Sequence, residues 1–193
     1  AQIQAMTSAQ FSALSTDLIQ GLTAKQMAAI ETRDLAGLST SQIAGLNSSQ
    51  VSGFTGTQLT ALSNGQVTAV ETSDLTSVRG SDFISFTTTQ VNAMSTSQIN
   101  ALTKAQISKL SAPALQGMTT SQMAAITSDQ LQSFSAIQIG ALSSSQVAAI
   151  TSTAFGSLKA SLISAFSTSA IPGLTTSQVS SLVGNQLTQI KIG

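Results

Sequence analysis

Cut into eights from Ala1, the chain reads AQIQAMTS, AQFSALST, DLIQGLTA, KQMAAIET and onward through NQLTQIKI. That is 24 consecutive octads plus Gly193, with no insertion. Position 3 is apolar in all 24, beginning Ile3, Phe11, Ile19 and Met27, and so is position 6, beginning Met6, Leu14, Leu22 and Ile30. Position 2 is Gln in 16 octads, and position 7 is Ser or Thr in 17. Position 5 is Ala, Gly or Ser in 22, with Lys109 and Gln189 the exceptions. Of the 14 charged residues, 13 fall at positions 7, 8, 1 and 2. The pattern assigns each octad a wet half over those four positions and a buried half around the two apolar columns.

One continuous α-helix does not suit this period. Eight residues advance about 800°, so each octad is rotated roughly 80° from the last and the apolar stripe winds around the helix. A flat strand fails as well, because positions 3 and 6 are an odd number apart and face opposite sides of a sheet. A chain that bends once per octad keeps both columns inside. The local signal for that bend is a capping box: Ser or Thr at position 7 and Gln three residues on, each side chain bonding the other residue's backbone N–H. In TTSQMAAITSDQL the pairs are Thr119 with Gln122 and Thr127 with Gln130. Position 6 then sits just before the cap and position 3 of the next octad sits at the fourth helical residue, the spacing of a hydrophobic staple. Met118 with Met123, and Ile126 with Leu131, are such pairs.

The exceptions follow the same logic. Asp34, Asp74 and Asp82 replace Gln at position 2, where a helix dipole favours an acid. Asn47 replaces Ser/Thr as an equally good cap. Pro113 falls in a first turn, where a missing N–H costs little, and Pro172 at position 4 limits its helix to one or two turns. Leu18, Ala114, Ala154, Leu162 and Ala170 cannot complete the box.

Two buried side chains cannot offset the ordering of eight backbones, so octads must stack on one another. The expected fold is an all-α solenoid of very short capped helices, one per octad, forming a single repeat domain over 1–193 that continues or assembles end to end. Small residues at positions 4 and 5 would let turns approach closely, and the rod would be on the order of 100 Å long if each turn rises one helix diameter. A slower echo of 40 residues marks position 2 at Asp34, Asp74, Ala114 and Ala154, and Glu31 and Glu71 share it. Either five octads were duplicated together or five octads make a whole number of superhelical turns. A β-solenoid is the alternative, since Thr, Ser, Gln, Val and Ile also stack on strands; it leaves the Ser/Thr-to-Gln offset unexplained.

Composition narrows the chemistry. Apolar residues make up 41% of the 193, enough for a core. Only 7% are charged, the net charge is zero, and His, Cys, Trp and Tyr are absent. Without runs of either sign there is no nucleic-acid footprint, and no apolar run is long enough to span a membrane. The chain begins inside its own pattern, which reads as a mature or excised piece whose targeting signal lies elsewhere. A Ser or Thr nucleophile needs a base, and here only Lys25, Lys104, Lys109, Lys159 and Lys191 or the carboxylates could serve. The lysines read as solvated charges. The closest acid pairs, Glu31 with Asp34 and Glu71 with Asp74, are spaced as cap and third helical residue, so helix starts account for them. With no His, no Cys and no Asp-rich loop, no metal site is expected; catalytic, cofactor-binding and metal residues are all set at none, and no cofactor is expected. The seven Phe residues, all at positions 3 or 6, read as core.

What remains is surface. Ser, Thr and Gln over positions 7, 8, 1 and 2 offer little electrostatic resistance to self-packing, which favours homotypic association. Regular hydroxyls could instead hold a periodic ligand such as a glycan or ice, or the chain could be a passive spacer. Units such as TTSQMAAI, STSQINAL, SSSQVAAI and TTSQVSSL resemble the Ser/Thr-x-x-Gln-(Ile/Val)-x-Ala-Leu repeats of very large bacterial secreted or surface proteins, often labelled adhesin-like. The resemblance implies an extracellular or cell-surface, non-enzymatic role in a filament, fibre or adhesin stalk, and carries over no active-site residue. Calcium-binding repeats common in such proteins have no counterpart here.

Overall fold

The computed structural model describes residues 2–190. They form 20 α-helices of four to six residues and four short 3-10 segments, and no strand occurs among the described residues. The β-solenoid is thereby overturned: the backbone turns helically once per octad. Each helix starts where the cap predicts. Before the helix Thr120–Ala124, the Thr119 N–H donates to Gln122 Oε1 at 2.8 Å and the Gln122 N–H donates to Thr119 Oγ1 at 3.2 Å. Fourteen of the 16 position-2 glutamines complete such a box. Gln186 makes half of one, accepting from the Val183 N–H, and Gln2 precedes a 3-10 segment without a side-chain cap.

Helices end without a left-handed residue; among those described, only Gly184 has positive φ. Position 6 instead swings to extended backbone, as at Leu62 (φ −62°, ψ 136°) and Ile150 (φ −63°, ψ 131°), and buries its side chain there. The next residue is already the next cap. Pro113 sits in the first turn of Ala112–Gln116, and Pro172 lies in a 3-10 segment, Ile171–Gly173, in place of an α-helix.

The turns are tied by the same glutamines. Every position-2 glutamine from Gln42 through Gln178 donates Nε2 to the carbonyls 31 and 28 residues earlier, which are positions 3 and 6 of the turn beneath. Gln106 reaches Leu75 O at 3.0 Å and Val78 O at 2.8 Å while its Oε1 caps its own helix. These glutamines are only 1–4% exposed. Position 2 therefore belongs to the interior, which corrects its placement in the wet half. An Oε1 committed to the cap leaves both amide hydrogens for the carbonyls below, so one side chain satisfies groups on two turns.

A second set of bonds runs the other way. Polar side chains at position 4 donate to position-5 carbonyls 25 residues later: Gln20 to Gly45, Thr60 to Ser85, Asn92 to Gly117, Asn100 to Ala125 and Gln116 to Ala141. Each octad thus lies between the third octad ahead and the fourth behind, giving about 28 residues per turn. The 189 described residues make roughly seven turns, and helices packed 8–10 Å apart put the rod near 60 Å, shorter than the length expected from sequence. Five octads are not a whole number of turns, so duplication of five octads is the account of the 40-residue echo that remains.

Positions 3 and 6 form one continuous core from Phe11 to Phe166. Position 5 is small because another turn's backbone lies against it: a Cβ at Gly37, Gly53 or Gly173 would collide with the backbone at Ser8, Ala24 or Ser144, in each case on the turn beneath.

Candidate functional surface

With position 2 withdrawn inside, the solvent face is built from positions 7, 8, 1 and 4. Caps such as Ser39, Ser95 and Thr119 keep exposed hydroxyl groups, yet each hydroxyl already accepts the N–H of its own helix. Neutral exposed side chains of this kind alternate around the rod with few charges between them.

The lysines do not gather. Lys25, Lys104, Lys109 and Lys159 are all exposed, and Lys191 lies outside the described residues. Lys104 pairs with Asp129 at 3.1 Å, with both side chains largely solvated. Among the described residues no three acidic, His or Cys side chains could share an ion.

The acid pairs are more particular than helix starts alone required. Glu31 and Glu71 occupy N-cap positions without a side-chain cap bond. Asp34 and Asp74 are buried in the glutamine column, at 4% and 8% exposure. Carboxylates have no hydrogen for the carbonyls below, so these two find other partners: Asp74 Oδ1 accepts from Ser48 Oγ on the turn beneath. Arg33 bridges Glu31 at 2.8 Å and approaches Asp34 at 3.7 Å, while Asp34 Oδ2 has no hydrogen-bond donor. Ala114, Ala154 and Ala170, also in this column, are fully buried and bring no side-chain donor to the carbonyls below.

Concavity comes from the grooves between turns. An open cleft of about 480 Å³ is lined by Thr68–Ser73 with Ser95 and Gln98. Its counterpart five octads earlier, about 400 Å³, is lined by Ala28–Thr32 with Thr55, Thr57 and Gln58. Glu71 and Glu31 are the charged residues in these clefts, and hydroxyls supply most of the remaining polar lining. The sequence reading missed the clefts; the signal was the shared five-octad spacing of the two glutamates.

A family model for the ALTTAQ repeat matches residues 27–64 and 80–112. Both stretches fall within the octad array, and they mark the chain as a repeat protein. No curated protein matches it. No helix is long and apolar enough to cross a membrane among the described residues.

Proposed function

We propose that this chain is a non-enzymatic structural segment working outside the cell, as a filament or fibre subunit or as part of an adhesin stalk. The observation that carries the reading is the repeated use of polar side chains for construction. Glutamine amides, cap hydroxyls and position-4 amides tie helix to helix and turn to turn, leaving a largely neutral exterior on which no three acidic, His or Cys side chains cluster among the described residues. A solenoid of this kind resists extension along its axis through many parallel bonds per turn, a property suited to a stalk or fibre. Immunogold electron microscopy of intact source cells, with antibodies raised against the chain, tests the assignment. Label on filaments or stalks beyond the envelope supports it, and label confined to the cell interior overturns it.

A second reading, a surface for neutral glycans, is favoured by the paired clefts beside Glu31 and Glu71. Binding on a glycan array that is lost in Glu71→Gln and Glu31→Gln would support it, and silence across the array would dismiss it.

A further inference from the structure

Two segments five octads apart are nearly the same: residues 31–35 read ETRDL and residues 71–75 read ETSDL, differing only at Arg33 and Ser73. In both, the glutamate is an exposed N-cap residue without a cap bond, and the aspartate is buried in the glutamine column. The first segment supplies its own counterion. Arg33 donates from Nη2 to Glu31 at 2.8 Å and holds Nε 3.7 Å from Asp34 Oδ2, so one guanidinium spans both acids. The second segment has a hydroxyl at that place, and no Lys or Arg forms an ion pair with Glu71 or Asp74 among the described residues. Both acids instead line an open cleft of about 410 Å³ toward the turn beneath, together with Gln20, Leu46 and Ser48. Hydrogen-bond donors are scarce in it. Asp74 Oδ1 accepts from Ser48 Oγ, but no donor reaches Oδ2 among the described residues, although the residue is only 8% exposed. The Leu46 carbonyl, which the amide of a glutamine at position 74 would tie, receives no donor either. Gln20 already commits its own amide to Gly45 O at 2.8 Å.

We propose that the Glu71–Asp74 cleft binds an arginine side chain presented by a partner protein. The duplicated segment is the template, since there the same pair of carboxylates holds a guanidinium contributed by the chain itself. One acid at the rim and one on the floor suit a planar fork that donates along two edges at once. An ammonium is a compact point donor and matches that arrangement less well. A metal ion is a poorer fit again, because no third acid joins the two among the described residues. Burial of a carboxylate oxygen without a donor is costly, and an entering guanidinium removes that cost at Asp74 Oδ2 while the rim carboxylate of Glu71 steers it in. The cleft faces the turn beneath, whereas the hydroxyl-lined cleft on the other side of Glu71 faces the turn above, so the two are separate sites that share one acid.

Nitrogen–proton correlation NMR of the 193-residue chain tests this, with titrations of N-acetyl-arginine amide, N-acetyl-lysine amide and calcium chloride at low ionic strength. The arginine probe is expected to shift the amides of residues 44–48 and 71–74 saturably, with a Kd of about 1–10 mM because the rim of the pair is solvated. The lysine probe should bind several-fold more weakly, and calcium should leave these amides where they are. Glu71→Gln should abolish the shifts. Ser73→Arg, which gives this segment the counterion of the first, should fill the cleft from within and abolish them as well. Both positions are exposed, and circular dichroism checks that each variant keeps its helices. Shifts that are absent or fail to saturate, equal affinity for the two organic probes, or binding that survives either substitution would overturn the assignment. Calcium that binds at residues 71–74 more tightly than the arginine probe would overturn it in favour of a metal site.

Discussion

Gln106→Glu separates the two tasks that the structure gives to one side chain. Glutamate serves as well as glutamine in an isolated capping box, and a carboxylate in the first helical turn gains about 0.3–1 kcal/mol from the helix dipole. A residue needed only as a cap would therefore tolerate the change. In the solenoid, however, Nε2 of Gln106 donates to Leu75, Thr76 and Val78 at 3.0, 3.1 and 2.8 Å, and the side chain is 1% exposed. Glutamate removes every one of these donors and points a buried charge at carbonyl oxygens. Two buried carbonyls left unpaired cost about 1–3 kcal/mol each, so with the charge the loss should be about 3–5 kcal/mol at pH 7. Burial among acceptors raises the folded-state pKa of the new carboxyl above its unfolded value near 4.3. The penalty is then full above the folded pKa and is relieved as pH falls through it, since the protonated acid regains one donor. Gln10→Glu is the control, because Gln10 completes the same box, while its Nε2 has no acceptor among the described residues; its effect should stay within about 0.5 kcal/mol. Urea unfolding followed by circular dichroism measures both, with the slope checked for loss of cooperativity in the array. Equal midpoint shifts for the two variants, or a pH-independent loss at position 106, would refute the inter-turn role of the amide.

Other perturbations read the same architecture. Gly53→Ala should destabilise by about 1–3 kcal/mol because its Cβ meets the Ala24 backbone, whereas Gly65→Ala, with nothing nearer than 3.6 Å, should be neutral or stabilise a helix by up to about 1 kcal/mol in the same denaturation assay. Ile99→Ala should cost about 2–5 kcal/mol, while Leu187→Ala, in the same sequence column but 57% exposed, should cost less than about 0.5 kcal/mol in thermal melts. Lys104→Ala should shift stability by no more than about 0.5 kcal/mol, since its pair with Asp129 is solvated, and melting should barely respond to added salt.

Much of this fold is legible in the octad. The capping box placed the helix starts, the two apolar columns placed the core, and Asn47, Pro113 and Pro172 fell where their backbone demands allow. The residues that escaped are those acting between turns, because a local pattern cannot name a partner a full turn away. One clue was nevertheless present. A capping box admits Glu or Gln, yet position 2 holds 16 glutamines and no glutamate. That exclusion is the mark of a required amide donor and would have moved the column from the wet face to the interior. Position 4 held a similar clue in Gln20, Asn92, Asn100 and Gln116, long amides where small residues were expected. The surface yielded less: hydroxyls that cap helices look the same in sequence as hydroxyls that await a ligand.

The spacing of the missing rungs bears on the proposed mechanical role. Asp34, Asp74, Ala114 and Ala154 recur every five octads, whereas a turn takes about three and a half, so each gap falls a little under half a circumference beyond a full turn from the last. Successive gaps therefore lie on nearly opposite sides of the rod. Had the interval been a whole number of turns, the unsupported carbonyls would have lined up along one side and made a hinge there. The gaps are not all bracketed alike: the ties of Gln106 and Gln122 flank Ala114, whereas Asp82 follows Asp74, and Leu162 and Ala170 follow Ala154, so the next tie after that of Gln146 is that of Gln178. An inherited five-octad unit laid over a turn of three and a half octads sets its own gaps on alternate sides of the axis, while the run of Ala154, Leu162 and Ala170 leaves nearly one whole turn without a glutamine tie and makes that turn the weakest under axial load.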